Sequence, residues 1–142
     1  MLDMSIKSVA FLSTLLVSIS NSLPPAAVYA AEEKTDGKVL VLMVYDDQCQ
    51  KFCGQVRPIL QELKAEYADR VFVQEVNTTQ NVLSKSQKLT EELGVGSFLP
   101  GVIDSVPCVG VFTRRKRLVK ELTGVKKKEV YVRFIEKALG AS

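Results

Sequence analysis

The chain has 142 residues, with 19 lysines and arginines against 16 aspartates and glutamates, for a net charge of +3. That length suits one domain, and so mild a charge gives little drive toward nucleic acid. There is no histidine, which excludes Ser-His and Cys-His nucleophilic machinery and every metal site that needs an imidazole.

Residues 1–30 read as a signal peptide. A short polar start is followed by the apolar run Ser8–Ile19, then Pro24-Pro25 and a string of small residues. The run falls short of the roughly 20 residues a membrane-spanning helix needs. Val28-Tyr29-Ala30 fits a cleavage site, with a retained anchor as the alternative. Cleavage removes Asp3 and Lys7 together, so the balance stays at +3. The expected location is exported: a periplasm or an equivalent lumen. Residues 31–37 form a charged, flexible lead-in, and the domain is expected over 38–140.

Lys38–Tyr45 is a continuous apolar, β-branched run, the pattern of a strand buried on both faces. It stops at Asp46-Asp47-Gln48. Val56, Ile59, Leu60, Leu63 and Tyr67 recur at helical spacing, so a helix is predicted from Cys49 or Gln50 to Tyr67, kinked by Pro58. A second strand covers Val71–Val76. Thr78 or Thr79 is the expected cap of a second helix carrying Val82, Leu83, Leu89 and Leu93, which Gly94 and Gly96 end. Ser97–Ser105 reads as a loop around Pro100-Gly101. Val106–Phe112 and Leu118–Leu122 form a hairpin across a tight basic turn, and a helix through Tyr131, Phe134, Ile135, Ala138 and Leu139 closes the chain. The order β-α-β-α-β-β-α calls for an α/β domain, a central mixed sheet with helices on both faces.

The basic residues cluster at Arg114–Arg117 and Lys126–Lys128. They suit either an acidic partner or anionic membrane surface, or simply a solvated turn and helix start. No aromatic residues interleave with them, so no nucleic acid is expected as a partner.

Three cysteines in an exported chain imply a disulfide and one remaining thiol. Cys49 and Cys53 lie where the first strand passes into the first helix. The unpaired amides of a helix N-terminus stabilise a thiolate there. Four residues is one turn, so the pair shares a face with Cα atoms about 6 Å apart, within disulfide reach.

In these features the sequence resembles the thioredoxin superfamily over nearly all of Lys38–Leu139. The carriers are the buried strand ending in an aromatic (Tyr45), the cysteine pair opening a helix with Pro58 five residues beyond the second, the later Val106-Pro107, and Gly124 after the hairpin. The resemblance implies a minimal thioredoxin-like fold. It also implies that Pro107 follows a cis peptide bond and packs against the pair. The departures are specific. The motif is C-x-x-x-C, with Gln50, Lys51 and Phe52 between the cysteines. Gln48 stands where a tryptophan is common, and Met43 where many thioredoxins bury an acid. Glu75 on the neighbouring strand is a candidate substitute for that acid, a surface carboxylate being the alternative. Cys108 follows the proline directly, and the fold would place it close to the pair.

Three functions follow. The first is a thiol–disulfide oxidoreductase acting on exported protein thiols and disulfides with a separate redox partner. Cys49 is then the nucleophile and Cys53 the resolving thiol, while Val106, Pro107, Cys108 and Phe52 make the substrate-binding surface. This reading needs no cofactor and no metal, and a monomer is expected. The second is a non-catalytic binding protein with a structural disulfide, since fold does not imply function. The third is a Cu(I) carrier using Cys49, Cys53 and Cys108. The C-x-x-x-C spacing also resembles the copper chaperones of cytochrome oxidase assembly, but those add a histidine that this chain lacks. The alternative for Cys108 is a small buried residue beginning a strand.

Overall fold

The computed structural model describes residues 35–141. The signal peptide read at 1–30 and the first part of the lead-in, 31–34, lie outside them. Among the described residues no helix is long and apolar enough to cross a membrane.

The fold is organised around β1 (Val39–Tyr45), whose residues Val39 to Val44 are all fully buried. It runs parallel to β2 (Val71–Asn77) on one side and antiparallel to β3 (Cys108–Phe112) on the other. β4 (Leu118–Thr123) pairs antiparallel with β3, which gives a four-stranded mixed sheet of order β2-β1-β3-β4. Side chains alternate across a strand, so each strand contributes to two separate cores. Val39, Val41, Met43, Val71, Val73, Val109 and Val111 face α1 (Gln50–Tyr67) and α4 (Lys128–Gly140). Leu40, Leu42, Val44, Phe72, Val76, Cys108 and Phe112 face the other side. There they meet Leu83 and Leu89 of α2 (Leu83–Glu92) and Leu99 and Val102 of α3 (Leu99–Val102). The mixed sheet with helices on both faces is the architecture read from the sequence.

The two helices of the first face are tied by polar bonds at their rims. Tyr67 donates its hydroxyl proton to Glu136 at 2.7 Å. Lys128 bridges Glu62 and Glu66 of α1, so one of the three lysines at 126–128 joins two helices. Residues 35–37, read as flexible lead-in, form a turn whose Thr35 carbonyl accepts from Lys116 Nζ at 3.0 Å. Lys116 also donates to the Lys38 carbonyl. The basic hairpin turn therefore folds one of its cations back onto the start of β1.

Two expected boundaries move. The second helix does not begin at Thr78 or Thr79 but at Leu83, because both threonine side chains have partners elsewhere: Thr78 donates to the Tyr45 carbonyl, and Thr79 accepts from the Asp47 amide. Segment 97–105, read as loop, carries α3, with Phe98, Leu99 and Val102 filling the second core. Pro100 is tolerated there because it lies in the first turn, where amides need no intrahelical acceptor.

A third expectation is corrected outright. Cys108 does not share a patch with Cys49 and Cys53. It pairs in register with Val44, and that parity turns its side chain into the second core, fully buried, while the pair belongs to the first. Burial, with a smaller contribution from the Glu121 carboxylate, pushes its thiol from the usual 9.0 up to about 11, against hydrogen bonds from Thr123 and Leu122.

Gly110 packs closely against two rings of this second core. A Cβ there would lie 2.7 Å from Phe112 Cε2 and 2.8 Å from Phe98 Cζ. Those two rings meet edge to face with centroids 5.1 Å apart. Gly110→Ala is expected to lower unfolding free energy by about 1–3 kcal/mol through overpacking, measured by chemical denaturation. Cys108 yields a pH prediction. Its folded-state value is raised, so the unfolded chain loses its proton first, and stability present below pH 9 is lost as pH rises toward 11. The wild-type protein should lose about 2–3 kcal/mol more over that interval than Cys108→Ala, read from denaturation curves at both pH values.

Candidate functional site

The site is built at the C-terminal end of β1, where the buried strand gives way to Asp46, Asp47 and Gln48. This short loop is held by the loop that leaves β2. Thr78 donates its amide to the Tyr45 carbonyl at 2.7 Å, and the Asp47 amide donates to Thr79 Oγ1 at 3.0 Å. Asn77 Nδ2 donates to Asp47 Oδ1 at 2.8 Å. Asp46 closes a local turn, accepting from the Gln48 amide at its carboxylate and from the Cys49 amide at its carbonyl. Together these bonds fix the point at which α1 begins.

Cys49 stands at that point as the N-terminal cap residue, and the Cys53 amide donates to its carbonyl at 2.8 Å. The two cysteines are joined in a disulfide with Cα atoms 5.5 Å apart. Both are largely covered, Cys49 at 7% exposure and Cys53 at 2%, so Cys49 is the nearer to solvent. Phe52 between them is 53% exposed, with Lys51 Nζ 5.8 Å from its ring centroid.

The Val106–Pro107 peptide bond is cis. Val106 is partly buried against the core that contains the pair. The Pro107 carbonyl accepts from the Gly124 amide at 2.8 Å, which ties this segment to the end of the hairpin. Gly124 has φ +76°, a conformation that glycine adopts without strain. Cys108, the next residue, points to the opposite face. The three thiols are thus not brought together, and a Cu(I) site made of all three is overturned. Among the described residues no group of three or more cysteine, aspartate or glutamate side chains is placed to hold a metal ion.

Met43 is fully buried, and Glu75 is its register partner on β2, on the same face of the sheet. Glu75 is not a free surface carboxylate. Arg57 Nε donates to Oε1 at 2.8 Å and to Oε2 at 3.0 Å. The Arg57 guanidinium also lies 5.2 Å from the centroid of the Tyr45 ring. The hydrogen bond to Glu75 pushes the already high pKa of Arg57 further up, against the effect of burial. Arg57 is one helical turn beyond Cys53. Both line a cavity of about 390 Å³ with Tyr45, Asp46, Asp47 and Gln50. Sequence reasoning passed over Arg57. The available signal was its i+4 spacing from the second cysteine, which places a cation on the cysteine's own side of the helix.

No protein-family model matches the sequence, and no curated protein matches it. Solved structures do. One described as a thiol:disulfide interchange protein DsbE from Chlorobium tepidum aligns with a TM-score of 0.56 at 22% identity, over 75% of this chain and 83% of its own. A malarial protein aligns with a TM-score of 0.50 at 19% identity, over 72% of this chain and 98% of its own. With the central β1, the cysteine pair opening α1 and the cis proline before β3, this likeness establishes that the chain has a thioredoxin-like fold.

Proposed function

We propose that the protein is a thiol–disulfide oxidoreductase that acts on protein disulfides in an exported compartment through Cys49 and Cys53. The observation that carries this reading is the Cys49–Cys53 disulfide at the first turn of α1, with the more exposed cysteine, Cys49, at the cap position. Amides of that turn favour a thiolate at Cys49 once the bond is open. The name of the Chlorobium tepidum structure supports the same chemistry, and the exported setting rests on the signal-peptide pattern of residues 1–30.

In the reducing direction the Cys49 thiolate attacks one sulfur of a substrate disulfide. A mixed disulfide forms, and the substrate's other sulfur leaves as a thiolate that takes a proton. Cys53 then attacks the Cys49 sulfur. The substrate's second sulfur is released, and the Cys49–Cys53 disulfide remains as the product of a two-electron transfer. An external dithiol restores the reduced pair. In the oxidising direction the same steps run backwards. Exposed Phe52 and half-buried Val106 are the surfaces offered to the substrate chain, while Pro107 and Cys108 are buried and contribute packing.

The second reading, a static disulfide in a binding platform, draws on the near-complete burial of both cysteines. Equilibration of the purified protein across a thiol–disulfide buffer series, with alkylation and mass readout of each cysteine, decides between them. A two-electron couple between about −120 and −270 mV is the expected result. A pair that stays oxidised below about −300 mV is a structural disulfide, and the oxidoreductase reading then fails. In the same assay Cys53→Ser is expected to accumulate a mixed disulfide on Cys49 that the wild-type protein does not retain.

A further inference from the structure

We infer that Arg57, held by Glu75, stabilises the Cys53 thiolate when the disulfide opens, and so sets how many protons the couple takes up. The functional weight of this inference rests on the redox reading above; its electrostatic content does not.

The argument starts from what surrounds Cys53. From β1 and the loop after it come Tyr45, Asp46 and Asp47; from its own helix come Gln50 and Arg57. α4 contributes Tyr131 to the same core, and Glu75 of β2 stands behind Arg57. Among the described residues lining the cavity beside Cys53, Arg57 is the one cation, with Asp46 and Asp47 the carboxylates. Glu75 does not line that cavity.

Two contacts keep the guanidinium in place: both carboxylate oxygens of Glu75 and the face of Tyr45. The opposing carboxylates are engaged locally, Asp46 with the Gln48 amide and Asp47 with Asn77. A fixed opposite charge one helical turn away favours the ionised form of a thiol. The usual buried acid of this fold is replaced by fully buried Met43. In its place the chain presents a permanent cation to the second cysteine.

The chemistry balances as follows. Reduction by an external dithiol breaks the Cys49–Cys53 bond, puts one electron pair on the two sulfurs beyond their bonding share, and leaves the donor as a disulfide. Each sulfur departs as a thiolate and takes a proton only if the thiol is the stable form at that pH. With Cys53 held as the thiolate, one proton fewer is taken up, and the reduced state is favoured. Glu75 is then a positioning residue.

The test uses the full chain with Cys49→Ser, so that Cys53 titrates alone. Thiolate absorbance at 240 nm is followed against pH and referenced to the Cys49→Ser/Cys53→Ser chain. Adding Arg57→Met with Glu75→Gln neutralises the ion pair without stranding a carboxylate. The expected result is a midpoint raised by about one pH unit or more, a tenfold fall in thiolate at a given pH. Arg57→Lys should return most of the shift. With both cysteines present, the neutralised pair should make the disulfide about tenfold harder to reduce, about 30 mV for a two-electron couple, at pH values well above the Cys53 midpoints of both proteins. A midpoint unmoved in the neutralised variant, with its circular dichroism intact, overturns the inference. If that variant fails to fold, Arg57→Lys against Arg57→Gln reads the same charge, and equal midpoints overturn it. A wild-type couple below about −300 mV would sink the oxidoreductase reading, while the Cys49→Ser titration would still judge Arg57.

Discussion

Everything at the site depends on β1 being buried on both faces. A strand in that position has no solvent side, so its residues alternate between two cores. Six consecutive side chains from Val39 to Val44 are fully buried. Each contributes on the order of 1.5–3 kcal/mol relative to exposure. A slip of one residue would exchange the two cores along the whole strand. The register with β2 and β3 is held by that cost. The same register fixes the face on which Cys53, Glu75 and Cys108 sit.

Much of this was legible in the sequence. An unbroken β-branched run identifies a doubly buried strand, and five apolar residues at helical spacing identify α1, because both patterns follow from burial alone. What escaped depends on contacts distant in sequence. Thr78 and Thr79 have the chemistry of helix caps, yet their side chains are used by the loop after β1. α3 has only four residues, too few for a periodic signal, and it contains Pro100 and Gly101, which read as a turn. Cys108 follows the proline as expected, but proximity in sequence does not give parity. Its pairing with Val44 decides the side it faces. The Glu75–Arg57 pair joins positions 18 apart in sequence, which only the parallel crossover brings together.

The arrangement around the pair combines two electrostatic devices of different range. The first turn of α1 acts on Cys49 through oriented amides, whose influence is confined to the helix terminus. Arg57 is a formal charge held by Glu75 and the face of Tyr45, and with its side chain 41% exposed it is open in part to screening by salt. An extra residue between the cysteines puts them one full helical turn apart, so the two sulfurs experience different surroundings on one helix. The consequence is an asymmetric couple, Cys49 capping the helix end and Cys53 lining a polar cavity together with Arg57.

The ion pair also bears on how the protein behaves toward other copies of itself. Among the described residues β2 is an outer strand of the sheet, with one side of its backbone unpaired by another strand. Open strand edges are templates for uncontrolled strand addition, and an inward-turned charge is one of the ways proteins guard them. Glu75 sits in the middle of that edge, with its carboxylate anchored to α1 rather than free to swing aside. A foreign strand laid along β2 would have to cover a bound carboxylate and its guanidinium and strip water from both. The contact that holds a cation beside Cys53 therefore also helps keep the sheet closed to aggregation.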